Sequence, residues 1–264
     1  MIIVVKDFNN IPIVLKNDKR EEAFNANIKA HDYVDDKNRY KVGSVQKKLN
    51  EIYHLKCAFC EQKLLDSPKH IEHYRPKSVY YWLSYSWDNL LLACGSCNSF
   101  KGDRFKILDD QVVYNNETFE NIHRLGATYD ISEKPLIINC EKDDVLDDIR
   151  YTNKAKVFST NERVKHTIEE ACKLNRNELL EKRLPLLNDF INIINKHYTL
   201  YKKHGDLTRF KPDIEQFIEK CNKESEFYSF RYYILKNIDV FFDNENIQKI
   251  LKAIILKLDR VMVN

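Results

Sequence analysis

Glycine is scarce in this chain. Five glycines among 264 residues leave no G-x-x-x-x-G-K-[ST] run and no G-x-G-x-x-G run. The backbone cradles that ATPases and dinucleotide enzymes wrap around phosphates therefore have no counterpart in it. No repeat and no low-complexity tract breaks the sequence. No apolar run approaches the ~20 residues that a membrane-spanning helix needs. The opening Met-Ile-Ile-Val-Val-Lys-Asp meets charge too early for a signal peptide, so the cytoplasm is the expected compartment. Seven cysteines, an odd number, suit a reducing compartment better than a disulfide framework.

Asn, Lys, Ile, Leu and aromatics fill the space that glycine leaves. A hydrophobic share of 43% with 31% charged residues describes a folded protein with a proper core, and a helix-rich one. The net charge of +3 says little about partners, but its distribution says more. Residues 107–150 carry eleven acids against four bases, a net −7, whereas the flanking regions are all net basic. Phosphate would repel that acidic segment, which reads as a solvated connector away from any nucleic-acid path.

Four of the cysteines form two CxxC pairs, Cys57/Cys60 and Cys94/Cys97, with thirty-three residues between them. Each CxxC turns tightly enough to aim two thiolates at one point, and two such knuckles supply a tetrahedral structural zinc site. Ordinary buried thiols are the alternative. Between the knuckles, His70-Ile71-Glu72-His73-Tyr74 reads as a short strand, and Trp87 to Ala93 as a second strand entering the second knuckle. Asn98 to Arg104 reads as the start of a short helix. In a regular strand Glu72 and His73 point to opposite faces, so for both to serve one site the strand must end or bulge there.

The runs Cys-Ala-Phe-Cys-Glu (57–61), Ile-Glu-His-Tyr-Arg-Pro-Lys (71–77), Trp-Asp-Asn-Leu-Leu-Leu-Ala-Cys (87–94) and Cys-Asn-Ser-Phe-Lys-Gly (97–102) resemble the HNH nuclease family. Within it, they resemble the PtuB-type subunits of Septu anti-phage systems, which also occur with some retrons. The likeness covers roughly residues 45–190. It implies a zinc-stapled ββα-metal unit, treble-clef-like, in an α+β, predominantly helical chain with a C-terminal helical region. It also implies His73 as general base, Asn89 as brace of the loop that holds it, and Glu72 and Asn98 as ligands of a catalytic divalent ion. Many family members have His where Asn98 stands; an amide oxygen suits Mg2+ or Mn2+ better than zinc. Arg75, Lys77, Lys101 and Arg104 are the nearby cations expected to touch nucleic-acid phosphate. The implied partner is a PtuA-like ATPase of the ABC/SMC type, docked on the helices after residue 150. The implied activity is phosphodiester hydrolysis, with DNA favoured over structured RNA such as tRNA. A zinc module that binds nucleic acid or a partner without cleaving is the rival reading, and such a module would need neither Glu72 nor His73.

Four segments are expected. Residues 1–56 form an N-terminal hairpin (2–5 with 11–15) and buttress helices at 18–30 and from a Ser44 cap. The nuclease unit spans 57–106, the acidic irregular connector 107–150, and the helical region 151–264. In the last, Pro185 should kink or restart a helix that ends at Gly205. Phe227, Tyr228, Phe230, Tyr232 and Tyr233 sit at helical spacing with Arg231 among them, which favours core or interface over base stacking.

Overall fold

The structure, a computed structural model, describes residues 4–262, with side chains through 258. The chain folds as two compact units. The first runs to Val145 and takes in Thr160–Leu174; the second comprises Leu146–Ser159 and the chain from Asn175 onward. The chain passes between the units three times, after Val145, Ser159 and Leu174.

In the first unit the N-terminal hairpin does not form. Its first run lies partly outside the described residues, and its second becomes a 3-10 turn, Ile13–Lys16, entered through Pro12 at φ −51°. Proline has no amide proton to give a ladder, so the turn displaces the strand. Helix α1, Asp18–Ala30, begins at Asn17, whose side chain accepts from the Arg20 amide, and stops at His31 in the left-handed region. Helix α2, Gly43–Ile52, starts one residue before Ser44, from Val42, and buries Val45 and Leu49. Two successive left-handed residues, His54 (φ 50°) and Leu55 (φ 57°), then turn the chain into Cys57.

Strands β1 (Lys69–His73) and β2 (Leu90–Cys94) pair antiparallel, with Glu72 opposite Leu91 and His73 opposite Leu90. Helix α3, Gly95–Lys101, follows β2 without a loop and packs back on both strands. All five β2 residues are buried, which explains the unbroken Leu-Leu-Leu-Ala-Cys run. The α3 helix ends at Gly102, whose φ of +45° a β-carbon would resist.

The acidic segment is irregular and largely solvated over residues 107–120, as expected, but the remainder is not. It contains helix α4, Gly126–Glu133, and sends carboxylates inward. Glu133 is fully buried against Arg75, Asp143 pairs with Arg163 at 2.8 Å, and Glu141 pairs with Lys6 at 2.7 Å. Its charge neutralises buried bases of the same unit. Lys6 also donates to the Trp87 carbonyl (2.7 Å) and the Leu90 carbonyl (2.5 Å), pinning the start of β2. Helix α5, Glu162–His166, continues as a π turn, Thr167–Ala171.

The second unit holds a two-residue ladder, β3 (Arg150–Tyr151) with β4 (Val157–Phe158), and five helices. Helix α6, Asn177–His204, runs straight through Pro185 and closes at Gly205. Its buried residues Leu179, Arg183, Leu187, Phe190 and Ile194 recur at steps of three and four, so packing on one face outweighs the lost hydrogen bond. Helices α7 (Phe210–Glu219), α8 (Tyr228–Lys236), α9 (Ile238–Phe241) and α10 (Glu245–Met262) complete it. Phe227 and Phe230 are core residues, and Phe190 stacks on Phe217 at 4.1 Å. Among the described residues no helix is long and apolar enough to cross a membrane.

Candidate functional site

The four CxxC cysteines converge. Their sulfurs all lie within 4.8 Å of one another, and all four residues are buried. The Cys60 and Cys94 Sγ atoms are 3.8 Å apart. That is far beyond a disulfide bond and equals the edge of a tetrahedron with Zn–S bonds of about 2.3 Å. The Cys94 sulfur also accepts from the Cys97 amide, capping α3. The thiols donate to Cys94 and pull it far below the ordinary thiol range, whereas burial holds Cys57 far above it. Four crowded sulfurs cannot all ionise without a cation, and soft donors at this spacing fit zinc. A fifth thiol, buried Cys172 at the end of the π turn, hydrogen-bonds Cys97. Seventy-five positions of sequence separate them, and no spacing rule connects the two.

Strand β1 and helix α3 contribute to a cavity of about 270 Å³, lined by His70, Glu72, His73, Asn98, Gly102 and Asp103. Asn38, Tyr40, Lys41 and Lys77 line it as well. Strand β1 ends at His73, which lets adjacent residues of opposite strand faces share one cavity. The His73 Nε2–H donates to the Ser84 carbonyl at 3.0 Å, and its ring packs edge-on to Tyr40 at 4.4 Å. That bond fixes the tautomer and leaves Nδ1 as the open nitrogen, without a partner among the described residues. Burial, reinforced by Lys77, Lys101 and Lys41, lowers His73 to about 3, so the ring is neutral at physiological pH.

Asn89 stands in the 3-10 turn Trp87–Asn89 that leads into β2. Its Oδ1 accepts from the Arg75 amide at 2.7 Å. Its Nδ2 donates to the Arg75 carbonyl at 3.1 Å and the Leu83 carbonyl at 3.3 Å. One side chain thus ties both ends of the loop that carries Ser84. Glu72 is 7% exposed, and its Oε1 is held by Lys101 at 2.8 Å. Burial raises its carboxyl above the ordinary range and Lys101 opposes the rise. Glu72 Oε2 and the Asn98 amide have no partner among the described residues, and both residues line the cavity. A carboxylate and an amide left unpaired in one cavity fit a hard divalent cation, with His70 and Asp103 in the same lining. The sequence reading passed over His70, although its i, i+2 relation to Glu72 puts both on one strand face.

Two expected phosphate contacts are misplaced. Lys101 is fully buried, and its ammonium is spent on Glu72, the His73 carbonyl (2.7 Å) and the Gly102 carbonyl. Arg75 is 1% exposed, bonded to Glu133 at 2.8 Å and Asp130 at 2.7 Å. Each is an internal cation whose partners already use its charge. Arg104 is exposed just beyond α3 and donates to the Phe100 carbonyl. Lys77 is half-buried at the cavity.

Residues 57–104 match the family model described as HNH endonuclease. The chain is 30% identical over 196 residues to the Septu protein PtuB of Bacillus mycoides, covering 64% of this chain and 63% of that one. It is also 41% identical over 56 residues to the Septu protein PtuB of Bacillus thuringiensis, 20% of this chain and 22% of that protein. The chain thus spans less than two thirds of the length of the relatives it matches. The matched segment begins at Cys57, ends at Arg104, and contains both knuckles, β1, β2 and α3. Over residues 57–104 the chain is thus similar to the HNH endonuclease family, and that stretch is the one that builds the cysteine cluster and much of the cavity lining.

Proposed function

We propose that the protein is a metal-dependent nuclease that hydrolyses phosphodiester bonds, with DNA as its substrate, in a bacterial anti-phage complex with an ATPase partner. The observation that carries this reading is the geometry of His73. Its Nε2 is committed to Ser84 while Nδ1 is left open in the cavity that also presents Glu72 Oε2 and Asn98.

Phosphodiester hydrolysis needs a water stripped of a proton and a counter-charge for the phosphate as the leaving oxygen departs. Neutral His73 accepts the water proton at Nδ1. The Ser84 carbonyl, bonded to the opposite nitrogen, then stabilises the imidazolium that forms. Asn89 keeps that carbonyl in place by fixing Leu83 and Arg75. Glu72 and Asn98 would hold Mg2+ or Mn2+, which supplies Lewis-acid stabilisation of the phosphate when bound. Lys101 pairs with Glu72 and opposes the rise that burial imposes on its carboxyl. The cysteine quartet, with zinc, would fix α3 and hence Asn98 against β1.

The ATPase partner is inferred from the PtuB relatives and from the want of any nucleotide motif in this chain. Its docking surface is sought on the helices of the second unit, where Leu184 and Ile193 of α6 stand exposed. The test is incubation of the purified protein, with and without a PtuA-like ATPase, with plasmid DNA and total cellular RNA in Mg2+ or Mn2+. Metal-dependent plasmid cleavage is expected. Cleavage of RNA alone would replace the substrate, and no cleavage of either by the complex would leave a binding module.

A further inference from the structure

Part of the cavity lining lies outside the matched segment: Asn38, Tyr40 and Lys41 come from the stretch between α1 and α2, residues 31–42, and meet Lys77 from within the segment. Lys41 and Lys77 line the same cavity as Glu72, His73 and Asn98. Neither lysine has an ion pair among the described residues. They are oriented by aromatic faces instead. The Lys77 ammonium lies 3.5 Å from the centroid of the Tyr33 ring and 5.5 Å from that of Tyr40; the Lys41 ammonium lies 5.6 Å from Tyr40. Asn38, at φ 47°, receives the hydroxyls of Tyr33 and Tyr40 at 3.3 Å each and Lys77 at 3.5 Å, so one amide oxygen organises all three.

The nearby carboxylates do not neutralise this pair. Asp35 is taken by Arg39 at 2.8 Å and by the Tyr85 hydroxyl at 2.8 Å. Asp103, exposed beyond α3, lines the same cavity and, like Asp35, acts on Lys77 through its charge, but it makes no ion pair with either lysine. Burial, and after it the charge of Lys41, lowers Lys77, so the two ammonium groups feel one another. A cation on an aromatic face gains about 0.5–2 kcal/mol, and two like charges at one cavity without a counter-ion form a site for an anion.

We propose that Lys41 and Lys77 form a clamp for a nucleic-acid phosphate in the cavity that also holds Glu72 and Asn98, and that residues 31–42 are therefore part of the substrate site. The clamp rests on the nuclease reading for its substrate, a phosphodiester of a polynucleotide. It keeps Lys77 among the cations that grip substrate and puts Lys41 in the place of the buried Lys101 and Arg75.

The test is binding, measured by fluorescence polarisation with a labelled oligonucleotide across a KCl series, in a His73→Asn background so that nothing is cleaved. The double variant Lys41→Gln/Lys77→Gln should bind at least about tenfold more weakly at low salt, and its log–log salt slope should fall by about two units. Lys41→Arg/Lys77→Arg should restore both. An affinity and slope unchanged in the glutamine pair would overturn the clamp. So would a loss of binding that follows a fallen melting temperature and is not restored by arginine, since that marks packing on Tyr33. Binding that obeys the clamp in a wild-type protein that cleaves nothing would sink the nuclease reading and keep the clamp. Cleavage by a wild type whose glutamine pair binds unchanged would do the reverse.

Discussion

Lys101 lies beneath Glu72, its ammonium 2.8 Å from Oε1 and 2.7 Å from the carbonyl of His73. One fully buried cation from α3 thus holds the backbone of the candidate base and the side chain of the candidate metal ligand. Removing it would strand a buried carboxylate and a buried carbonyl together. Lys101→Ala is expected to cost roughly 3–5 kcal/mol, the usual penalty for breaking one side of a buried ion pair. Urea denaturation measures this directly. A midpoint within error of wild type would mean that Glu72 is solvated and that Lys101 faces substrate after all.

A second buried contact gives the protein a pH dependence. The Trp87 amide donates to His123 Nδ1 at 3.0 Å, two residues before Asn89. Burial, with a smaller push from Lys16, lowers His123 to about 4. The folded state therefore keeps this ring neutral where the unfolded chain protonates it. Its stabilisation is complete above pH ~6.5 and is lost as pH falls toward 4, because the unfolded state then binds the extra proton. The site should contribute on the order of 2–3 kcal/mol across that window. The slope of unfolding free energy against pH between 4 and 6.5 should be shallower in His123→Gln than in wild type. Equal slopes would show that His123 titrates alike in both states.

The cysteine quartet and the strand–strand–helix order were legible because both depend on local spacing. Two CxxC turns, an apolar run of strand length and a helix directly after it need no distant information. The fate of the charges was not legible. Arg75 is spent on Glu133, fifty-eight positions away, and nothing near Arg75 announces that partner. The acidic segment looked solvated for the same reason: composition records its charge, whereas burial depends on which bases lie beneath it. Lys41 escaped notice because its role comes from a loop packed at the cavity. Pro12 and Pro185 show the limits of local rules from two sides. The first replaced a strand with a turn, and the second sits inside a 28-residue helix held by one buried face.

Zinc should be structural. Cys57→Ser or Cys97→Ser removes one of four sulfurs that lie within 4.8 Å of one another. Each variant should release about one zinc per chain and lose most of the metal's contribution, on the order of 10 kcal/mol of apparent binding energy in small zinc domains. Metal analysis of wild type and variants, beside thermal unfolding, is the check. A wild type purified without zinc would leave the quartet as buried thiols.

His73 is the sharpest test, and the choice of replacement matters. The ring is buried against Tyr40, so truncation to alanine would confuse a cavity with lost chemistry. Asparagine keeps an amide nitrogen that can donate toward the Ser84 carbonyl but supplies no base of useful strength. His73→Asn should retain zinc and melt within a few degrees of wild type, while turnover falls by about 10²–10⁴-fold, the usual contribution of a positioned general base. Binding of oligonucleotide should change little, because the cations that would grip phosphate, Lys41 and Lys77, are left in place. Single-turnover cleavage measured with enzyme in excess separates that chemical step from binding. Near-wild-type single-turnover rates in His73→Asn would move the base elsewhere, and His70, which lines the same cavity as Glu72, would be the next residue to replace.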